Sequence, residues 1–258
     1  MALLSVTVIT RNEAAHIEAC LASVDWADER LVVDCGSTDD TVALARRAGA
    51  RVIETSWPGY AAQKNVAADA ARHDWILSVD ADERVTPELA REIRTRLEHV
   101  PSPPDAGYRI PRITFHLGRW FTTTDWYPDP QLRLYDRRRG RWKTRHVHES
   151  VEIQGTVGRL THHLQHYAYR DIAHHVETIN RYTTLAADEM FEAGRRASAT
   201  DLVVHTIAAF LRNYVLKRGA LDGVPGLTVS LMNAYYVFLK MAKLRELDRD
   251  GRRTGRLS

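Results

Sequence analysis

Short apolar runs alternate with segments of helical periodicity over the first hundred residues. The run Leu4–Thr10 is followed by apolar residues at helical spacing from Ile17 to Val24, and Asn12 is placed to cap that helix. The same order repeats three more times, with apolar strands at 31–33, 51–54 and 75–79. Strands and helices that alternate at this length predict a parallel, Rossmann-like sheet of the α/β class.

The pattern changes after about residue 100. Strand-like runs without helical periodicity fill residues 101–170, and long stretches of helical periodicity occupy residues 171–258. We therefore predict three parts: an α/β half at 1–100, a mixed-strand half of the same domain at 101–170, and a C-terminal helical region.

Composition narrows the class of protein. With 44% hydrophobic and 27% charged residues in 258, the chain has enough apolar side chains to fold around a core. Two cysteines, Cys20 and Cys35, suggest neither a disulfide framework nor a cysteine zinc site, which favours a reducing cytoplasm. The N-terminus is expected to be a strand rather than a signal peptide, and no run reaches the roughly 20 apolar residues that cross a bilayer. A net charge of +3 does not by itself indicate nucleic acid.

Polar side chains follow three of the predicted strands. Asp80, Ala81 and Asp82 come directly after the fourth strand, and Asp34 follows the second. The first strand runs into a further set of polar residues: Thr10, Arg11 and Glu13. Carboxylates at the carboxyl ends of strands in an open α/β sheet predict a divalent cation and a phosphate-bearing substrate.

Several of these positions allow more than one interpretation. Asp34 is placed to accept hydrogen bonds from a nucleobase or ribose, whereas Asp39 could share that role or cap the following helix. Arg11 and Lys64 could contact phosphate or remain exposed surface cations. Glu83 is expected to pair with the neighbouring Arg84 or with the next helix.

The chain resembles family 2 glycosyltransferases with the A-type fold, and is similar to their lipopolysaccharide core glucosyltransferase subgroup. The resemblance extends to about residue 244. The segments that carry it are ITRNEAAHIEACLASV, VVDCGSTDDT, QKN, WILSVDADERV, RLYDRRRGRW with HVHES, HHLQHYAYRD and LKRGALDGVPGL.

The resemblance implies roles for the acidic residues. In the family's D-x-D motif the second carboxylate, here Asp82, binds Mg²⁺ or Mn²⁺, and the first, Asp80, contacts ribose or a metal-bound water. His166 is implied as a further metal ligand. Glu149 fits the family's order for the general base, although many relatives present an E-D pair there, and Asp129 competes with it.

The implied activity is transfer of a hexose from a nucleoside diphosphate sugar, with UDP favoured, by an inverting and metal-dependent reaction. The acceptor is expected to be a glycolipid, a lipopolysaccharide-type chain or another oligosaccharide, with no nucleic acid partner. A nucleotidyltransferase is an alternative, but ITRNEAAH lacks the glycine-rich loop that usually follows its first strand. The second alternative is a basic, non-catalytic module that binds lipid or a polyanion.

Two basic regions suggest contact with an anionic acceptor or with the inner leaflet of a membrane. One is the cationic run at 137–145, which is interrupted by Trp142. The other is the last helix, where the apolar residues Leu231, Tyr235, Phe238 and Leu239 precede Lys240, Lys243 and Arg245. This pattern predicts a cytoplasmic protein that could bind peripherally to the inner membrane, although packing of the same apolar stripe in a core would give the same sequence.

Overall fold

The computed structural model describes residues 2–98, 104–145 and 148–254. They fall into two compact units, Met1–Ile113 with Asp129–Tyr167, and Thr114–Pro128 with Ala168–Ser258. We describe each unit by itself. The three-part division drawn from the sequence stays a prediction.

The first unit begins with the alternation of strands and helices that the hydrophobic pattern predicts. Its opening elements are β1 (Leu4–Thr10), α1 (Ile17–Ala22), β2 (Glu29–Asp34), α2 (Thr41–Arg47), β3 (Arg51–Glu54), α3 (Tyr60–Ala70), β4 (Trp75–Asp80), β5 (Glu83–Val85) and α4 (Pro87–Glu98). Mixed strands follow: β6 (Gly107–His116), β8 (Asp129–Asp136), β9 (Gly140–Arg145), β10 (His148–Ile153), β11 (Val157–Arg159) and β12 (Leu164–His166). The predicted α/β fold class is confirmed.

The main sheet is parallel on one side and antiparallel on the other. Its strand order is β3-β2-β1-β4-β8-β6-β12-β5; β3, β2, β1 and β4 run parallel, and β8 is antiparallel to β4. The chain reverses its direction of travel across the sheet between β1 and β4, because β2 and β3 lie on the other side of β1. Open α/β sheets bind ligands at such a switch point, beyond the carboxyl ends of the strands.

The core of this unit covers both faces of the sheet. β1 and β4 are buried almost throughout, and the polar residues within them are mainly buried serines and threonines, so neither strand alternates between buried and exposed positions. One cluster joins these strands to α1 and α4 through Ile17, Leu21 and Ile93, and a second joins β2 and β4 to the alanine-rich α3. The packed centre of the sheet therefore fixes the positions of the strand ends.

The second unit is mainly helical. The last residues of β6 pair with β7 (Arg119–Phe121), and a 3-10 turn follows at Thr124–Trp126. The helices are α5 (Ile172–Glu192), α6 (Ala199–Leu211) and α7 (Gly223–Thr254), with a π-helical turn at Arg212–Leu216 and a 3-10 turn at Gly219–Asp222 between the last two. Within the described part of the chain, no helix is long and apolar enough to cross a membrane.

Candidate active site

The ends of β1, β2 and β4 bring the predicted donor-binding residues to one edge of the sheet. Thr10 lies opposite Asp34 in the β1–β2 register, and Asp80 lies opposite Ile9 in the β1–β4 register. Thr10 also donates a hydrogen bond from Oγ1 to Asp34 Oδ2 at 3.0 Å. Residues that are 24 and 71 positions apart in sequence are thus neighbours because parallel strands end together.

Asp34 is buried, and its carboxylate organises the loop that follows β2. Its Oδ1 accepts hydrogen bonds from the backbone N–H groups of Gly36 and Ser37 at 2.9 Å each, while Oδ2 accepts from the Thr10 and Ser37 hydroxyls. Both carboxylate oxygens are therefore engaged within the protein. The loop is shaped by Asp34, and the role of this residue in donor binding stays a prediction.

Asp39 joins the loops after β1 and β2. One carboxylate oxygen accepts from the backbone N–H and the hydroxyl of Thr41, and the other accepts from Ala14 N–H at 3.2 Å. Burial opposes the charged form, but these hydrogen bonds outweigh it and lower the pKa of Asp39. This supports the helix-capping alternative in part, because Asp39 accepts hydrogen bonds from Thr41, the first residue of α2. Arg11, on the same rim, is exposed.

Asp80 is held by two cations. Lys64 Nζ lies 3.3 Å from its Oδ1, and the Arg133 guanidinium donates to its Oδ2. Burial alone would raise the pKa of Asp80, but Arg133 and then Lys64 outweigh burial and hold that pKa well below its usual range. Lys64 is buried rather than exposed, with its ammonium 4.5 Å from the centre of the Trp142 ring. Its positive charge therefore belongs to the site.

Asp82 lies beside His166, as a shared metal site would require. His166 Nε2 is 3.3 Å from Asp82 Oδ2, and the main chain is tied at the same point by a hydrogen bond from Tyr167 N–H to the Asp82 carbonyl. Burial opposes the ionised carboxylate, but the His166 ring outweighs it and lowers the pKa of Asp82. The two residues are 84 positions apart, and the antiparallel pairing of β12 with β5 brings them together.

These groups fit a divalent cation. Asp82 Oδ2 and His166 Nε2, which lie 3.3 Å apart, are the groups that a shared ion would contact, and the second ring nitrogen of His166, Nδ1, is buried without a hydrogen-bond partner. Among the described residues no three His, Cys, Asp or Glu side chains form a complete metal cage. Mg²⁺ and Mn²⁺ suit such an open site because one or two protein ligands are completed by substrate phosphate oxygens and water.

The pKa of Glu13 reflects the concentration of negative charge at this edge of the sheet. Burial, followed by repulsion from Asp82, Asp39 and Asp80, raises the pKa of Glu13 to about 7. A carboxyl group that is hard to ionise beside three other carboxylates marks a region where a cation would be stabilised. Ala81, between the two motif aspartates, is buried, and its carbonyl accepts from Arg84 at 2.8 Å.

Sequence reasoning missed two arginines at this edge, one buried (Arg133) and one half-buried (Arg112). Arg112 and Arg133 lie on β6 and β8, and both contact Glu83 Oε1, at 3.2 Å and 3.0 Å. The expectation that Glu83 pairs with Arg84 was wrong, because Glu83 is fully buried and faces the sheet, where it also accepts from Asp80 N–H. An arginine within an otherwise apolar strand, such as RLYD at Arg133, was the available signal.

Of the two candidates for the general base, the structure describes the side chain of Asp129 but only the backbone of Glu149. Asp129 accepts hydrogen bonds from Arg112 on one oxygen and from Gln131 on the other, so both of its oxygens are occupied. The backbone of Glu149 lies in β10, opposite Thr144 of β9. Its side chain lies outside the described residues, and its catalytic role stays a prediction.

The cationic run at 137–145 is largely neutralised by acids of the same unit. Arg141 forms two hydrogen bonds of 2.8 Å with Asp69, Arg138 binds Asp136, and Lys143 pairs with Glu152. These cations therefore stabilise the β8–β9 region, and the run gives less support for an anionic partner than the sequence suggested.

Comparison with known proteins decides the family. The sequence model described as glycosyl transferase family 2 matches residues 5–155, which include every one of the strand-end residues except His166. The chain belongs to glycosyl transferase family 2. It is therefore a nucleotide-sugar-dependent glycosyltransferase, and the nucleotidyltransferase and binding-module alternatives are set aside.

Two relatives that match over most of their length agree with this assignment, and one solved structure is similar over part of the chain. The lipopolysaccharide core biosynthesis glycosyltransferase LpsC of Rhizobium meliloti is 33% identical over 250 residues, which cover 93% of this chain and 91% of the relative. An uncharacterized glycosyltransferase of Rickettsia felis is 32% identical over 257 residues, covering 94% and 89%. Glucosyl-3-phosphoglycerate synthase from Mycobacterium tuberculosis, solved with Mn²⁺ and UDP, is 25% identical with a TM-score of 0.37 over 44% of each chain.

Proposed function

We propose that this glycosyltransferase moves a hexose from a UDP-sugar to a hydroxyl group of a lipopolysaccharide-type glycolipid, with inversion at the anomeric carbon and with Mg²⁺ or Mn²⁺ as cofactor. The observation that carries the proposal is the pairing of Asp82 with His166 beside an Asp80 that is already neutralised by Lys64 and Arg133. The LpsC relative, a lipopolysaccharide core biosynthesis glycosyltransferase, supports the acceptor class.

The residues at the edge of the sheet divide the work of binding the donor. Asp82 and His166 would hold the cation, which when bound neutralises the diphosphate and stabilises the charge that develops on the leaving group. Lys64 and Arg133 balance the charge of Asp80, so Asp80 would contribute to donor binding without adding a net negative charge. Asp34 and Asp39 would hold the conformation of the loops around the nucleoside pocket through their hydrogen bonds.

The transfer itself requires one base. We assign this role to Glu149, whose carboxylate would take the proton from the acceptor hydroxyl as that oxygen attacks the anomeric carbon and the bond to the nucleoside diphosphate breaks. Asp129 is the weaker candidate because Arg112 and Gln131 occupy its oxygens. The enzyme would act in the cytoplasm, at the inner face of the membrane that carries its acceptor.

Binding of UDP with and without Mn²⁺ tests the donor site. We expect UDP to raise the melting temperature of the wild-type enzyme only when Mn²⁺ is present, because a cation held by Asp82 and His166 would neutralise the diphosphate. Asp82→Asn should abolish this shift. The matched control is Asp25→Asn, at an exposed position, which should retain it.

The same titration can overturn the assignment. If Asp82→Asn kept the full Mn²⁺-dependent shift, the ion would be held elsewhere and the role of the D-x-D motif would have to be withdrawn. His166→Gln provides a second readout: weaker Mn²⁺ binding by tenfold or more would support it as a ligand, whereas unchanged Mn²⁺ affinity would remove it from the site.

A further inference from the structure

The turn between α6 and α7 exposes an unusual number of aliphatic side chains. We call residues 211–224 the hairpin tip. Within it, Val215 is 58% exposed, Leu216 and Leu221 are each 76% exposed, and Val224 is 75% exposed. Isolated exposed leucines are common on protein surfaces, but a cluster of four within ten residues marks a site of interaction.

Apolar stripes continue from the hairpin tip along both helices. On α6 the exposed residues Val203, Ile207 and Leu211 are four positions apart, which places them on one face of the helix. On α7 the exposed apolar residues recur at intervals of three and four: Val224, Leu227, Leu231, Tyr235 and Phe238. The unpartnered surface thus begins at the tip and extends several turns up each helix.

The exposed charges at the tip are positive. Lys217 and Arg218 are both exposed, and none of the ion pairs found among the described residues involves either of them. The nearby acids are already used: Asp222 is buried against Arg119 and Thr123, and Asp125 binds Arg212. Aliphatic side chains beside two cations without partners complement a surface that is apolar within and anionic outside.

The tip is held rigidly. Asn213 is fully buried and links three segments: its Oδ1 accepts from Asp125 N–H and from the Asn233 amide at 2.8 Å, and its Nδ2 donates to the Ala209 carbonyl. Gly226 packs so closely on Gly219 that a Cβ at residue 226 would overlap the Gly219 carbonyl oxygen. The exposed side chains are therefore presented on a fixed framework.

We propose that the hairpin tip is a membrane-docking surface, with Leu216, Leu221 and Val224 entering the interface of an anionic bilayer and Lys217 and Arg218 meeting lipid phosphates. Aliphatic insertion and attraction between basic residues and anionic lipid add together in such binding. A second copy of the chain is a poorer occupant, because its tip would offer the same two cations, while the nearby acids Asp222 and Asp125 already bind Arg119 and Arg212.

The hairpin tip lies outside the two regions that the sequence suggested, although the exposed Leu231, Tyr235 and Phe238 of the last helix continue from it. Lys243, at the basic end of α7, donates to the Asn180 carbonyl and side chain and to the Thr183 and Thr184 hydroxyls, so its ammonium is occupied within the unit. The docking proposal adds a location to the proposed glycolipid acceptor, but it does not depend on that acceptor or on the donor site.

Flotation with lipid vesicles tests the proposal. The wild-type enzyme should float with vesicles of phosphatidylcholine and phosphatidylglycerol, and at least tenfold less with phosphatidylcholine alone or at high salt. Leu216→Asp with Leu221→Asp should lower binding to anionic vesicles at least tenfold. Lys217→Gln with Arg218→Gln should remove the preference for anionic lipid.

The matched control is Leu185→Asp, at a leucine of α5 that is 51% exposed, which should float like the wild type. Leu216→Trp provides an independent measurement, because brominated lipid should quench its fluorescence, whereas a tryptophan at Leu185 should not be quenched. UDP and Mn²⁺ binding, measured on the same samples without lipid, should be equal in all variants, so a failed docking surface is distinguished from a failed donor site.

Three results would overturn the proposal. The first is equal flotation of the wild type and the Leu216/Leu221 variant. The second is a wild-type enzyme that ignores anionic vesicles. The third is concentration-dependent dimerisation in sedimentation velocity that the Leu216/Leu221 variant abolishes, without vesicle binding, since it would assign the same surface to a second copy.

Discussion

Arg133 shows how much one buried side chain contributes to the charge balance at the end of β4. Its guanidinium binds Asp80 and Glu83, and burial, which disfavours the charge, is outweighed by these two carboxylates, so the pKa of Arg133 is raised. Removing one member of a buried network leaves the others as uncompensated charges, which is costlier than the network is worth when intact.

Arg133→Met should therefore lower the free energy of unfolding by about 3–5 kcal/mol, the range for breaking a buried ion pair. The matched variant is Arg141→Met, whose guanidinium also binds an aspartate through two hydrogen bonds but at the surface, and it should cost about 0–1 kcal/mol. Urea unfolding measured by far-UV circular dichroism compares the two. Equal losses would mean that the Arg133 network is not sealed from solvent.

Catalysis is the second question at the scale of the residue. Glu149→Gln should lower kcat by about 10²–10⁴, the usual contribution of a general base, without weakening UDP binding. Asp129→Asn should lower kcat far less, because both of its oxygens already accept hydrogen bonds. Single-turnover transfer from a UDP-sugar, with UDP affinity measured in parallel, separates the two roles. The reverse pattern would assign the base to Asp129.

At the scale of the element, periodicity was enough to predict the alternating strands and helices of the first hundred residues. It worked because β1 and β4 are buried on both faces and α4 has one apolar face, and each arrangement leaves a local pattern in the sequence. The predicted cap at Asn12 was wrong. Its side chain accepts from Thr38 N–H in the next loop instead, and α1 begins at Ile17.

What the sequence did not show depends on contacts between distant residues. Arg112 and Arg133 meet Glu83 only because β6 and β8 lie in the same sheet, and no local pattern records an ion pair that spans 29 or 50 positions. The partnership of Asp82 with His166 was reached through family resemblance, and the structure supplies its physical cause in the pairing of β12 with β5.

The π-helical turn after α6 provides a test at the same scale. Asn213→Ala would leave the Asp125 N–H and the Asn233 amide without their acceptor inside the second unit, which should cost about 2–3 kcal/mol of stability. Asn180→Ala, at an exposed asparagine of α5, is the control and should cost about 0.5–1.5 kcal/mol through its hydrogen bond from Lys243. Thermal unfolding of both variants measures the difference, and similar losses would show that Asn213 is not a structural node.

At the scale of the whole molecule, the buried His175 and the half-buried Glu13 make stability depend on pH in opposite directions. Burial, with repulsion from His116 and His174, lowers the pKa of His175 from 6.5 to about 4. Between pH 4 and 6.5 the unfolded chain therefore binds a proton at His175 that the native protein does not bind, so stability is lost as the pH falls from 6.5 towards 4. Glu13 has a raised pKa of about 7 against an ordinary 4.5, so its contribution is lost as the pH rises through that range.

Removing His175 should expose the contribution of Glu13. The quantity to compare is the free energy of unfolding at pH 5 minus that at pH 7. In His175→Phe, which keeps an aromatic ring to stack on Tyr169, this difference should be more positive than in the wild type by about 1–2 kcal/mol. Urea unfolding at both pH values with divalent cations chelated measures this difference, and His162→Gln at an exposed position controls for the loss of one histidine. If the pH dependence of His175→Phe matched that of the wild type, His175 would be titrating in the native protein as it does in the unfolded chain, and its nitrogen without a partner would have to be in contact with water.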